Sequence, residues 1–186
     1  HGRSIERPSS QQWARATAFL PGGIGWYEKI FTVQQDWKNK NIFIYFDGVY
    51  KNSTVWLNGH YLGNRPNGFI PFEYELTRYL NAGGKNILTV KVDHSEFADS
   101  RWYTGSGIYR NVYLVVKDPV HIAKWGVQFS TPRVTQSRAT AKVKIWLQNQ
   151  SSKTTSLVVQ AILKDADANI AARSDKQIII KSNRKE

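Results

Sequence analysis

The sequence contains no cysteine among its 186 residues. Disulfide bonds and thiolate metal sites are therefore excluded, and cysteine usage says nothing about the redox compartment. No apolar run approaches the ~20 residues of a membrane-spanning helix, and no basic-then-apolar signal peptide opens the chain. We therefore expect no membrane association.

Histidine is also scarce, and its spacing argues against a metal site. The four histidines, His1, His60, His94 and His121, form no H-x-x-x-H or similar pair. The chain has no P-loop and no nucleophile elbow either, and Gly105-Ser-Gly107 is too short to indicate phosphate binding. We predict neither a metal nor a cofactor.

The excess of positive charge lies mainly in the second part of the chain. The formal net charge is +12. Residues 1–119 hold 14 Lys and Arg against 10 Asp and Glu, whereas residues 120–186 hold 12 against 4. The basic residues are dispersed, and Lys142 and Lys144 fall on the polar side of an alternating segment. This pattern favours a solvated strand face over a nucleic-acid surface, with a polyanion-binding surface as the alternative.

Short alternating segments with turn signals between them predict an all-β protein with almost no helix. In the first part, Leu88, Val90 and Val92 alternate cleanly, and Ile42–Phe46 reads as a strand buried on both faces. Asn58-Gly59, between two β-rich runs, is a strong hairpin signal because both turn residues need positive φ. The predicted strands are Trp26–Val33, Ile42–Phe46, Ser53–Leu57, Tyr61–Leu62, Phe69–Tyr74, Asn86–Asp93, Ile108–Val116, His121–Ser130, Ala139–Leu147, Thr155–Leu163 and Lys176–Ile180, with one helical turn within Glu75–Leu80.

The acidic residues form no recognisable catalytic pair. Hydrolysis by a carboxylate pair, for example, needs two acids that flank the scissile bond. Glu73 and Glu75 share a face of an extended segment, but no acid or base context accompanies them, and we interpret both as surface residues. We therefore assign no catalytic residue to this chain.

The stretch SRWYTGSGIYR, residues 100–110, combines glycines, aromatics and charges at the start of a predicted strand. Its glycines predict a bend with positive φ. Within Ile108–Val116, Arg110 falls on the same side as Ile108 and Val112. An arginine there needs a partner, because an unpaired buried charge is very costly.

This stretch resembles the signature of glycoside hydrolase family 2, in the N-terminal domain of β-galactosidase and β-glucuronidase type enzymes. Three further segments match the same family in the same order: LPGGIGWYEK at 20–29, FDGVY at 46–50 and VWLNGHYLG at 55–63. The resemblance covers most of residues 1–120. It implies a jelly-roll β-sandwich over residues 1–119, without the family's opening strand, followed by an immunoglobulin-like β-sandwich over residues 120–186. The second is expected to be incomplete, because such domains need about 100 residues.

The resemblance implies the non-catalytic N-terminal region of an enzyme, most similar to β-galactosidases, that hydrolyses terminal β-linked sugars with retention. The catalytic glutamates of the family lie on a (β/α)₈ barrel that follows, and no residue here matches them. The family implies that the segment before Gly105 reaches toward the sugar site. An acid stands two residues before the tryptophan in the resembled β-galactosidases, whereas here Ser100 holds that position and the acid is one residue earlier. The candidate substrate-binding residues are Asp99, Arg101, Trp102 and Tyr103.

Alternatives remain for these residues and for the whole chain. Asp99 and Arg101 can form a local salt bridge instead, Trp102 and Tyr103 can pack rather than stack on sugar, and Arg110 is favoured as a buried ion pair or interdomain anchor. The chain can also be a stand-alone carbohydrate-binding module or a basic polyanion-interaction domain. Expected partners are carbohydrate, the barrel domain and, through exposed sheet edges, further copies of the chain. Family analogy alone favours a periplasmic or secreted location.

Overall fold

The computed structural model describes residues 23–95 and 105–182 and confirms an all-β fold. Two short 3₁₀ turns, Gln35–Trp37 and Thr77–Tyr79, are the helical elements of these ranges. The strands are β1 Ile24–Thr32, β2 Asn41–Phe46, β3 Val49–Tyr50, β4 Ser53–Leu57, β5 His60–Arg65, β6 Phe72–Glu75, β7 Lys85–Asp93, β8 Gly107–Ile108, β9 Val112–Lys117, β10 Val120–Val134, β11 Ala139–Asn149, β12 Thr155–Lys164 and β13 Ile170–Ile180. Within the described ranges, no helix has the length and apolar character needed to cross a membrane.

The chain divides into two compact units, one ending at Val116 and the other starting at Lys117. Our sequence analysis placed this boundary at 119–120. The jelly-roll and immunoglobulin-like identities of the two units stay predictions.

The first unit contains a four-stranded sheet in the order β1-β7-β4-β5, a three-stranded sheet in the order β6-β2-β9, and the pair β3-β8. Strands of both larger sheets bury apolar side chains in one core. Strands β4 and β7 alternate buried and more exposed positions, whereas β2 buries successive residues. The four-stranded sheet supplies Val55, Leu57, Leu88, Val90 and Val92, and the three-stranded sheet supplies Ile42, Ile44, Phe46 and Phe72. The inward orientation predicted for β7 and the burial predicted for β2 are confirmed.

The hairpin between β4 and β5 is the tight turn that Asn58-Gly59 predicts. Asn58 has φ +50° and Gly59 has φ +82°. The Asn58 side chain also holds the turn to β7, since its Oδ1 accepts the Ile87 N–H at 2.8 Å. Its Nδ2 donates to Oδ1 of the fully buried Asn86 at 2.9 Å. The turn is therefore fixed by backbone conformation and by a polar network beneath it.

The second unit consists of two antiparallel hairpins, β10-β11 and β12-β13, which form separate sheets. Asn149 is its one buried polar side chain in the described residues, and its amide nitrogen donates to the Ile180 carbonyl at 3.0 Å, joining the hairpins. Many apolar side chains remain exposed: Ile122, Trp125, Val127, Phe129, Val134, Val143, Trp146, Val158, Ile162, Leu163, Ile170 and Ile179. Local pairing, more than a shared core, therefore holds the described part of this unit together.

Replacing Gly59 with Val should lower the free energy of unfolding of the first unit by roughly 1–3 kcal/mol, because a β-branched residue resists positive φ. No atom lies within 4 Å of a Cβ placed at Gly59, so the cost comes from the backbone rather than from a clash. Urea unfolding measures the change. Gly59→Asn is the matched control and should cost less, since Asn tolerates this region. Equal midpoints for wild type and Gly59→Val would contradict the proposed role of the turn.

Amide hydrogen exchange should be faster in β11, β12 and β13 than in β7, because the second unit buries little apolar surface. The exposed apolar faces should also make the purified chain associate with itself. Exchange mass spectrometry and sedimentation velocity measure the two properties. A monodisperse monomer with equal protection in both units would show that the second unit is a stable domain by itself.

Candidate functional site

The candidate site is built around the flanks of the segment 96–104. The predicted substrate-binding residues Asp99, Arg101, Trp102 and Tyr103 belong to that segment and lie outside the described residues. The structure does describe both flanks, Asp93–Ser95 at the end of β7 and Gly105–Asn111 around β8. The segment 96–104 lies between these flanks in the sequence.

Strands β3 and β8 join two of the sequence motifs, which are about 60 residues apart. Val49 pairs with Ile108 and Tyr50 pairs with Gly107. The Asp47 N–H donates to the Asn111 carbonyl at 3.1 Å, extending the contact beyond the strands. The FDGVY motif therefore pairs through its backbone with the GSGIYR motif and holds it in place. Sequence reasoning missed this pairing because two-residue strands carry no detectable periodicity.

Glycines at this site allow tyrosine rings to lie directly against the backbone. A Cβ on Gly48 would lie 2.5 Å from Cζ of Tyr109, well inside any real carbon contact. Gly107 has φ +103°, which confirms the bend predicted for the Gly105–Gly107 segment. Beside it, the Ile108 N–H donates to the Tyr27 hydroxyl at 3.4 Å. Tyr27 thus contacts the backbone at Gly107 and Tyr109 contacts the backbone at Gly48, two positions where a larger residue does not fit. We call the backbone around β8 the root of the segment.

A hydrogen bond links the two flanks of the segment. Nδ1 of His94 lies 2.6 Å from the Ser106 hydroxyl, and the His94 ring meets the Tyr50 ring edge-on at a centroid distance of 5.1 Å. His94 is 6% exposed, so this contact is largely shielded from water. His94 is therefore a largely buried partner of Ser106 and Tyr50.

The end of β7 is fixed by Asp93. Its Oδ1 accepts hydrogen bonds from the Ser95 hydroxyl at 2.6 Å and from the Ser95 N–H at 3.2 Å. The Ser95 hydroxyl, followed by the hydrogen bond from Lys91, holds the pKa of the Asp93 carboxyl below its usual value. Asp93 therefore remains ionised at neutral pH as a local cap rather than serving as a proton donor.

Arg110 corrects one expectation. The strand predicted over Ile108–Val116 is interrupted between β8 and β9, and Arg110 lies in the interruption rather than on an apolar face. It pairs with Asp47, with Nη1 and Oδ2 3.7 Å apart, and its side chain is 59% exposed. The guanidinium also lies 5.8 Å from the centre of the Tyr109 ring. The expected ion pair exists, but it is exposed rather than buried.

An apolar and aromatic surface lies beside this ion pair; we call it the rim and define it as Phe69, Ile70, Tyr109 and Tyr113. Each member is between 46% and 68% exposed. Asn67 Oδ1 accepts the N–H groups of Phe69 at 2.8 Å and Ile70 at 3.1 Å, which presents both side chains outward. The Tyr109 hydroxyl donates to the Gly68 carbonyl at 2.9 Å and fixes the same turn. The strand predicted from Phe69 instead begins at Phe72, because this turn comes first.

The acidic residues of the described ranges do not form a catalytic arrangement. Glu73 and Glu75 both lie on β6, opposite Tyr45 and Phe43 of β2, and both are partly exposed. No group of three or more His, Asp or Glu residues in residues 23–95 and 105–182 is placed to hold a metal ion. What these residues do form is a set of contacts on both sides of the segment 96–104.

The family model for the sugar binding domain of glycosyl hydrolases family 2 matches residues 12–119. The chain belongs to this family. The match includes the GSGIYR and FDGVY motifs and their supporting strands. It confirms the resemblance drawn from the sequence.

Similar proteins are family 2 glycosidases that are much longer than this chain. A β-galactosidase of Bacteroides ovatus, BoGH2A, is 42% identical over 94% of this chain, which spans 21% of that protein. A putative β-glucuronidase of Formosa agariphila is 41% identical over 66% of this chain, and the match spans 12% of that protein. The chain thus spans about a fifth or less of the length of these relatives.

Solved structures show the same fold. A family 2 glycosyl hydrolase of Bacteroides cellulosilyticus superposes with a TM-score of 0.85 at 34% identity, covering 97% of this chain and 25% of that one. A β-glycosidase of Bacteroides vulgatus gives a TM-score of 0.80 at 45% identity, with coverages of 95% and 22%.

Tyr109→Phe should lower the free energy of unfolding by about 1 kcal/mol, because it removes the hydroxyl that fixes the Gly68 turn. Arg110→Ala should cost less, roughly 0–1 kcal/mol, since its ion pair is exposed and screened by solvent. Urea unfolding at low and high salt measures both. An Arg110→Ala loss that equals or exceeds that of Tyr109→Phe would contradict this ranking.

Proposed function

We propose that the chain forms the non-catalytic N-terminal region of a family 2 glycosidase that hydrolyses terminal β-linked sugars with retention. Its role is to support a (β/α)₈ barrel and to contribute the segment 96–104 to the edge of the sugar site. The supporting observation is the construction of the two flanks, in which β3-β8 pairing, the His94–Ser106 contact and the Tyr109–Gly68 bond all converge on one segment.

We assign the rim and Arg110 to contact with the barrel domain. The rim exposes four apolar or aromatic side chains next to a guanidinium whose pairing with Asp47 leaves it accessible. Exposed apolar patches beside polar groups are typical of interdomain and protein interfaces. In this assignment Arg110 anchors the domain from its surface, in place of the buried anchor expected from the sequence.

We propose a β-galactoside as the substrate, with Asp99, Arg101, Trp102 and Tyr103 as the residues of this chain nearest to it. A carboxylate such as that of Asp99 suits the hydroxyl groups of a neutral sugar, and an aromatic ring suits its C–H face. BoGH2A is named as a β-galactosidase, whereas other relatives are named as β-glucuronidases. A glucuronide carries a carboxylate of its own, so Arg101 is the residue whose variant best separates the two substrates.

The test is a chimera in which this chain replaces the matching fifth of BoGH2A. The chimera should hydrolyse an aryl β-galactoside faster than an aryl β-glucuronide, whereas the isolated chain should hydrolyse neither because it carries no catalytic carboxylate pair. Asp99→Ala in the chimera should lower kcat/KM by about tenfold, the value of one hydrogen bond to a charged group. Steady-state kinetics with both substrates measures these effects.

Lys142→Ala, which removes an exposed charge in the second unit, is the matched control and should leave kcat/KM unchanged. Unchanged kcat/KM for variants at all four candidate residues would refute the role of the segment. Turnover by the isolated chain that disappears when one of its own acids is mutated would refute the non-catalytic assignment.

A further inference from the structure

The outer face of the β1-β7-β4-β5 sheet carries a cluster of aromatic rings that the proposed function does not use. Trp26 is 62% exposed and Tyr61 is 58% exposed. The rings of Trp26 and Trp56 stack with centroids 5.6 Å apart and planes inclined by 23°. Tyr61 meets Trp56 edge-on at 6.3 Å. We call these three residues the aromatic platform.

The platform lies on the opposite side of its sheet from the root of the segment 96–104. Trp26 and Tyr27 are neighbours in β1, and successive side chains of a strand point to opposite faces. Tyr27 packs against the core and accepts the Ile108 N–H at the root, so Trp26 points away from it. The platform is therefore separate from the surface that supports the segment.

Hydrogen-bonding side chains alternate with the rings across the sheet. Lys91 lies opposite Trp26 in the strand register, and Thr89 lies opposite both Trp56 and Glu28. A pyranose ring presents C–H groups to an aromatic face and hydroxyls at its edges, so it needs this mixture of surfaces. The exposed apolar side chains of Ile30 and Ile87 extend this face at one end. They make a protein partner the alternative to a sugar on this face.

The charges around the rings favour an uncharged ligand. Lys91 is already paired with Asp93, with Nζ and Oδ2 3.0 Å apart, and Glu28 is exposed nearby. This part of the face therefore has no positive excess, although the whole chain is basic. Acidic glycans and nucleic acids would meet carboxylates here, whereas a neutral sugar would meet donors and acceptors.

We propose that the aromatic platform is a second, non-catalytic carbohydrate site that binds neutral hexopyranose chains. It would hold a polymeric glycan on the surface of the first unit, apart from any sugar bound at the segment 96–104. The proposal agrees with membership of a family described as a sugar binding domain. It does not depend on the identity of the hydrolysed sugar.

The test is affinity electrophoresis of the full 186-residue chain through gels containing β-1,4-galactan, mixed-linkage β-glucan or heparin. We expect retardation by at least one neutral glycan. The net charge of +12 can also cause retardation by heparin, but that retardation should be the same for wild type and for variants of the platform. Trp26→Ala and, independently, Tyr61→Ala should weaken that retardation about tenfold, the effect of removing one aromatic contact. Both side chains are mostly exposed, and unfolding midpoints equal to that of wild type verify that the variants fold.

A tryptophan variant away from the platform serves as the control. Trp125→Ala removes a 77% exposed ring in the second unit and should bind the neutral glycan as wild type does. The proposal would be overturned if neither neutral glycan retarded the chain, or if Trp125→Ala lost as much retardation as the platform variants. An oligomer in sedimentation velocity that Trp26→Ala converts to monomer would overturn it too, because the face would then bind a second copy of the chain.

Discussion

The candidate site in the first unit depends on the backbone pairing of β3 with β8. This pairing brings Val49 and Tyr50 against Ile108 and Gly107, residues separated by nearly sixty positions in the chain. It is possible only because Gly48 and Gly107 lack the side chain that would collide with a tyrosine. Around it, an ion pair, a histidine–serine contact and a tyrosine hydroxyl fix both flanks of one segment. Closely fixed flanks are what the proposed contribution to a sugar site requires, because binding geometry tolerates errors of only a fraction of an ångström.

The two units differ in how they obtain stability. The first buries apolar side chains from two sheets in one core, while the described part of the second relies on hairpin pairing and on the amide of Asn149. Because hydrophobic stabilisation grows with the apolar area buried, it contributes mainly to the first unit. The unit that holds the flanks of the segment 96–104 is therefore also the one with the larger apolar core among the described residues.

Much of the fold could be predicted from periodicity. The alternation of Leu88, Val90 and Val92 located β7, and Asn58-Gly59 located the hairpin, because both signals are local. Two features escaped prediction for physical reasons. The pairing of β3 with β8 is long-range and involves only two residues of each strand. The strand predicted from Phe69 is replaced by a turn, because the Asn67 side chain binds the Phe69 N–H and so competes with strand pairing. Arg110 was placed on an apolar face because strict alternation was carried through an interruption of the strand. The candidate site residues themselves came from family resemblance, since no pattern within residues 99–103 specifies a ligand.

The most direct test of the account is a crystal structure of the BoGH2A chimera carrying this chain, with a covalent inhibitor in the barrel. A structure of Bacteroides uniformis β-glucuronidase 2 has captured such a species, bound covalently to cyclophellitol-6-carboxylate aziridine. The account predicts that a polar atom of Asp99 or Arg101, or a ring of Trp102 or Tyr103, contacts the trapped sugar within about 2.6–4.5 Å. Density showing all four residues beyond contact distance, with the rim exposed to solvent rather than packed on the barrel, would contradict it.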